Sequence, residues 1–213
     1  MKSPCAARSQ ASSKRFDEWS QTYEKSLTWR FFFNPVHERV VREVRHVGGM
    51  SILDVGCGTG DMLRRFAAGG ASRLVGADSS EGMLQVARRL SDGAANIELL
   101  KASAESLPVG AAEFDVVVSC IAFHHFPDPE GALSEMARVI KPGGNLLLCD
   151  MCGEGLSGSL MLAYGRLKAA DNHYYDRTSL ARLMIASGLE PIGVKRVRRF
   201  PPAMLVTAAK PED

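Results

Sequence analysis

S-I-L-D-V-G-C-G-T-G, residues 51–60, is the stretch whose reading decides the fold. A short apolar run (Ile52, Leu53, Val55) encloses an acid, Asp54, and stops at glycines on alternate positions, Gly56, Gly58 and Gly60. Asp61-Met62-Leu63 then opens a helical pattern. Strand, glycine turn and helix is the way α/β proteins present backbone N–H groups and a positive helix end to a small polar ligand. Gly56 lets the chain leave the strand sharply, Gly58 permits close approach of a ligand, and Gly60 feeds the turn into the helix. An ordinary tight βα turn does not need three alternating glycines and an embedded acid. A dinucleotide fingerprint spaces its glycines G-x-G-x-x-G, and here the third comes one position early, which argues against an NAD-linked oxidoreductase.

Further elements follow in the order of an α/β chain. Arg73 to Asp78 reads as a second strand, and an acid at its carboxyl end is placed to accept both hydroxyls of a ribose. Ser79-Ser80-Glu81-Gly82-Met83 caps and begins a helix to Leu90, and Asn96 to Lys101 gives a third strand. Glu113 to Ser119 is a continuous apolar run, as expected of a central parallel strand covered on both faces. Pro129 to about Ile140 reads as a helix, Lys141-Pro142-Gly143-Gly144 as the turn that ends it, and Asn145 to Asp150 as a fifth strand. Asp176-Arg177-Thr178-Ser179 opens a helix ending at Gly188, and Leu189–Arg198 and Pro202–Ala209 read as two closing strands. Near the start, Phe16, Trp19, Tyr23 and Leu27 recur at helical intervals, giving one aromatic face. Asn34-Pro35 reads as a cap and first helical position, with Val36, Val40, Val44 and Val47 along one side. We expect residues 1–14 to be a disordered tail. Residues 15–213 then form one domain, with N-terminal helices over 15–48 and a helical cap insertion over 152–175.

D-V-G-C-G-T-G, together with A-F-H-H-F-P-D-P-E (residues 122–130) and K-P-G-G (141–144), resembles the class I S-adenosylmethionine-dependent methyltransferases. The similarity is to their small members related to ubiquinone/menaquinone-biosynthesis methyltransferases. It implies a doubly wound, Rossmann-like, seven-stranded, mostly parallel sheet of order 3-2-1-4-5-7-6 with strand 7 antiparallel. It also implies S-adenosyl-L-methionine as cofactor. Asp54 and the turn Gly56, Cys57, Gly58, Gly60 then address its methionine portion, Asp78 its ribose, and Met83, Ser103 and Ala104 its adenine, with Ser79 also in the cofactor site. Tyr23 closes over the ligand, while Ser119, Cys120 and Ala122 lie under the sulfonium. Similar proteins carry Asp where Ser103 stands, and a neutral hydroxyl accepts more weakly than a carboxylate. Glu105 is expected to face solvent or a loop. Tyr23 and Met83 fit core packing as well as ligand contact.

If the methyl acceptor needs deprotonation, His124 and His125 follow the fourth strand on the ligand side; adjacent residues diverge, so at most one should face the pocket. A structural histidine fits the same position. His173, Tyr174 and Tyr175 fall in the expected cap. Cys120, Cys149 and Cys152 fall near carboxyl ends of central strands, and C-D-M-C has metal-ligand spacing, but no second pair accompanies it; we expect no metal.

At 213 residues and 46% hydrophobic content the chain suits a single globular core. A formal net charge of +2 calls for no nucleic acid, and the basic run Lys195 to Arg199 reads as a solvated strand face. Five cysteines without a disulfide framework, and no apolar run long enough to span a bilayer, lead us to expect a cytoplasmic protein. The function expected is methyl transfer to a small acceptor: a quinone precursor, a lipid or another metabolite. A non-catalytic cofactor-binding regulatory or partner subunit is the alternative.

Overall fold

The central strands are buried on both faces. In β1 (Ser51–Val55) every residue is buried. Ile52 packs with helices on one side of the sheet and Leu53 and Val55 with those on the other. The computed structural model describes residues 13–44, 46–153 and 173–212. Most of the expected tail and of the cap helix lies outside these residues.

Around β1 runs one seven-stranded sheet in the order β3-β2-β1-β4-β5-β7-β6. It comprises β2 (Arg73–Asp78), β3 (Ile97–Lys101), β4 (Phe114–Cys120), β5 (Ile140–Met151), β6 (Glu190–Arg199) and β7 (Pro202–Ala209). Strands β1 to β5 pair in parallel, while β7 is antiparallel to both its neighbours, as expected. The helices are α1 (13–19), α2 (Asn34–Glu43), α3 (Asp61–Ala68), α4 (Glu81–Leu90), α5 (Pro129–Val139) and α6 (Arg177–Ala186). One face is covered by Val36 and Val40 of α2 and Leu63 and Phe66 of α3. The other is covered by Leu133 and Met136 of α5 and Leu180 and Met184 of α6. Strand β6, at the sheet edge, is largely exposed, and its Lys195 pairs with Glu43. No described helix is long and apolar enough to cross a membrane.

Three local expectations are corrected. Asn34 does not cap α2, because a π-turn, Trp29–Phe33, runs straight into the helix. Its side-chain oxygen accepts from Arg65 instead (2.5 Å). The aromatic face does not reach Leu27, which is 73% exposed, since a 3₁₀ turn over Ser20–Lys25 ends the 3.6-residue period. Finally, K-P-G-G is absorbed into β5, where Ile140 already pairs with Phe114 and the register then shifts. Gly143, at φ +74°, takes the kink and its N–H donates to Lys210 O (2.9 Å).

Asp17 is one of the side chains that fasten the N-terminal segment to the sheet domain. Asp17 Oδ1 accepts from Ser80 Oγ (2.6 Å) and Gly82 N (2.8 Å) at the start of α4. Ser80 meanwhile caps that helix through Met83 N (3.1 Å). A Cβ on Gly82 would stand 2.9 Å from Asp17 Cα, so only glycine permits this approach. Gly82→Ala should therefore lift α1, at about 1–3 kcal/mol of overpacking. Limited proteolysis should then cut between residues 13 and 27 sooner than in wild type, with the sheet domain still resistant.

Candidate ligand-binding cavity

The strand order reverses between β1 and β4, and a cavity opens over their carboxyl ends, where doubly wound sheets bind ligands. The space within it, counted out to its open mouth, is about 880 Å³.

The glycine turn forms one wall. Gly56 N and Cys57 N donate to Ala77 O (2.8 and 3.1 Å), and Gly58 N donates to Asp78 Oδ2 (2.8 Å). Asp78 Oδ1 accepts from Ser80 N (2.8 Å). The carboxylate is thereby oriented and keeps lone pairs for a ligand. Desolvation lifts its pKa above the ordinary carboxylate value, and the bonds from Ser80 and Gly58 partly offset that. Gly58 (φ +53°) has nothing within 4 Å of where a Cβ would be, because that direction is the cavity. A Cβ on Gly56 would meet Ala122 Cβ at 2.5 Å, so this glycine lets β1 and the segment after β4 close together. Gly60 caps α3 and does not line the cavity.

Ser79, Met83, Ser103 and Ala104 line the cavity together with Asp78. Ser103 Oγ donates to the Glu105 carboxylate. Glu105 itself lines the cavity, contrary to the expectation that it faces solvent, and it also accepts from Asp128 N (3.2 Å). Over the mouth lie Phe16, Tyr23 and Trp29. Tyr23 stacks against Trp19, Trp29 and Phe33 with centroids 4.7, 5.2 and 5.1 Å away, and desolvation raises its hydroxyl pKa.

Behind the wall, Asp54 is 2% exposed and no described residue donates to its carboxylate. Burial, then Asp78 and Asp61, push its pKa up to about 8. A cationic group arriving nearby would relieve that position. Cys57 and Cys120 line the cavity with burial raising both thiols. Cys120 lies opposite Cys149, whereas Cys152 packs in the cluster on the other face of the sheet. The cysteines thus do not converge. Among the described residues no three His, Cys, Asp or Glu side chains form a metal-ligand set.

After β4 the chain is strained. Ile121, β-branched, sits at φ +52° and its N–H donates to Cys149 O (2.7 Å). Ala122 lines the cavity, but Ser119 is wholly buried and does not; its Oγ has no partner among the described residues. The two histidines diverge. His125 lines the cavity, edge-on to Phe16 at 5.1 Å. His124, 3% exposed, does not line it, because its Nδ1 and its backbone N–H both bond Asp150 (2.6 and 2.9 Å). His173 and Tyr175 line a separate shallow groove with α6, and Tyr174 stacks on His124 at 5.5 Å.

Sequence reasoning missed Phe16 as a lining residue, and likewise Trp29, His37 and Thr59. Thr59 stood inside the glycine motif and could have been found. It is 2% exposed, and its hydroxyl donates to Glu24, which also binds Arg64 (2.8 Å).

A family model described as a methyltransferase domain matches residues 53–148. The demethylmenaquinone methyltransferase of Clavibacter sepedonicus is 39% identical over 140 residues, 65% of this chain and 57% of that protein. The ubiquinone/menaquinone biosynthesis C-methyltransferase UbiE of Shewanella oneidensis is 30% identical over 170 residues, 68% of each chain. The chain spans between about half and two thirds of the length of the first curated relatives it matches. Among solved structures, the [4+2]-cyclase SpnF superposes with a TM-score of 0.82 at 19% identity, covering 96% of this chain and 97% of that one. An Aquifex aeolicus SAM-dependent methyltransferase gives 0.70 at 21% identity over 93% and 98%. These two speak for the fold alone.

The buried acid allows a direct check. Asp54 holds its proton up to about pH 8 when folded but only to about pH 4 when unfolded, so the native state binds the extra proton across that window. Its contribution to stability therefore falls as pH rises from about 4 to 8, by at most about 1.4 kcal/mol per pH unit. Asp54→Asn removes this dependence. Its melting temperature relative to wild type should climb steadily between pH 5 and pH 8 in calorimetric scans, and a flat difference would remove the shift.

Proposed function

The chain belongs to the class I S-adenosylmethionine-dependent methyltransferases, and we propose that it transfers a methyl group to a small acceptor of the quinone-precursor class. The observation that carries this reading is one continuous cavity. Its lining brings the glycine turn and Asp78 together with His125, Phe126, Tyr23 and Trp29. Donor and acceptor can thus meet in a single water-poor space.

The residues present fit the cofactor. Asp78 keeps acceptor sites for ribose hydroxyls, Met83 and Ala104 offer an apolar slot for adenine, and Asp54 suits an ammonium. Ser103, a neutral hydroxyl, is already engaged with Glu105. When bound, the cofactor supplies an electrophilic carbon and a good leaving group, so the protein needs no covalent nucleophile. Its work is orientation and exclusion of water, which can lower a barrier by roughly 7–11 kcal/mol. Cys120 and Ala122 form the floor at the end of β4, and Tyr23 with Trp29 covers the opposite side. His125 faces the acceptor and is the group placed to take a proton from it. His124 acts from behind, by bonding the chain to Asp150.

Aromatic lining by Phe16, Trp29 and Phe126 suits a flat acceptor ring, in keeping with the quinone-directed names of the relatives. The alternative, a cofactor-binding partner subunit, predicts binding without turnover. Incubation with methyl-labelled S-adenosylmethionine and a short-chain demethylnaphthoquinol should move label into the quinol fraction. Tight binding of S-adenosylhomocysteine with no label in any acceptor fraction would establish the binder instead. Within this reading, Asp78→Ala should weaken S-adenosylhomocysteine binding by about 1.5–3 kcal/mol, the worth of charge-assisted bonds. An unchanged calorimetric dissociation constant removes Asp78 from the site.

A further inference from the structure

The cavity has an electrostatic asymmetry. Asp78 and Glu105 line it, and Asp54 stands close by, whereas no lysine or arginine is among its described lining residues. The guanidinium groups of Arg15, Arg64 and Arg65 are already committed, that of Arg15 to His125 Nδ1 (3.4 Å). Arg64 donates to Glu24 (2.8 Å) and Thr59 O (2.6 Å), and Arg65 to Asp61 (2.7 Å) and Asn34 (2.5 Å). Among the described lining residues, the side chains able to carry positive charge are His37 and His125.

His37 is held with care. It is buried, and its Nδ1 bonds Asp61 Oδ2 at 3.0 Å. Trp29 packs edge-on to its ring at 5.3 Å, and Phe33 at 6.4 Å. With Nδ1 committed and the ring boxed in, Nε2 is the nitrogen left for the cavity that His37 lines; no described residue bonds it. Asp61 follows Gly60 directly, so His37 stands beside the glycine turn, while His125 stands at the acceptor end.

A ligand with an amino-acid tail brings an ammonium and a carboxylate together. The ammonium has carboxylates to meet, but no described lysine or arginine lines the cavity to meet the ligand carboxylate, and leaving it unpaired against Asp78 and Asp54 is costly. We propose that His37, bridged as an imidazolium between Asp61 and the ligand, binds the α-carboxylate of the cofactor's methionine portion through Nε2. This rests on the methyltransferase reading and adds the residue that selects the amino-acid end. Asp61 is a positioning residue: it fixes which ring nitrogen faces the cavity.

The test compares two probes by titration calorimetry: S-adenosylhomocysteine, and the same thioether lacking only the carboxylate, 5′-(3-aminopropylthio)-5′-deoxyadenosine. Wild type should prefer the first. His37→Ala should lower affinity for S-adenosylhomocysteine on the order of 10- to 100-fold and leave the amine within about twofold, so that the preference collapses. Unchanged amine binding also shows that the variant is folded. His37→Gln, which keeps a donor, should restore part of the preference, and Asp61→Asn should move the same ratio partway. Equal loss for both probes would overturn the assignment in favour of packing. No loss for either, with slower turnover, would overturn it in favour of an acceptor-side role. If wild type binds neither probe, the methyltransferase reading itself fails.

Discussion

One hydrogen bond, from the Gly58 N–H to the Asp78 carboxylate, ties the end of β1 to the end of β2, and the cavity depends on it. The parallel register from Ser51↔Arg73 to Val55↔Ala77 delivers both groups to the same edge of the sheet. Gly56 and Cys57 then bond Ala77 O, so three consecutive backbone N–H groups converge on two residues of β2. Because this corner is rigid before any ligand arrives, little ordering has to accompany binding.

Strand-borne parts of the site were legible in sequence for a physical reason. A strand buried on both faces is uninterrupted apolar sequence, and its carboxyl end is marked where that run stops; Asp78 and Ala122 are found simply by reading where β2 and β4 end. What the helical segments contribute was not legible. Phe16, Trp29 and His37 reach the cavity because Asp17 pins α1 to α4 and a π-turn merges into α2. Neither event leaves a periodic trace. Thr59 was overlooked in plain view, and Glu105 was assigned to solvent because its bond to Ser103 is made only once the loop folds back. That His124 and His125 diverge follows from adjacency. Which one turns inward is decided by Asp150, at the far end of β5, and no local pattern reports it.

The superposition on a [4+2]-cyclase shows that this scaffold is not itself a statement of chemistry. What distinguishes this chain is its walls: acids gathered at the sheet edge and an aromatic cover opposite. Acids in a low-dielectric pocket favour a cationic ligand, and desolvation raises the pKa of both Asp54 and Asp78.

Cys57 and Cys120 acquire significance in that light. Both stand in the wall of a chamber that handles an alkylating agent, and sulfur in its anionic form would be a ready victim. Burial beside carboxylates keeps each one neutral and unreactive. The negative surroundings that welcome a sulfonium also disarm the nearest competing nucleophiles, so the protein is shielded from methylating itself by the field that attracts its methyl source.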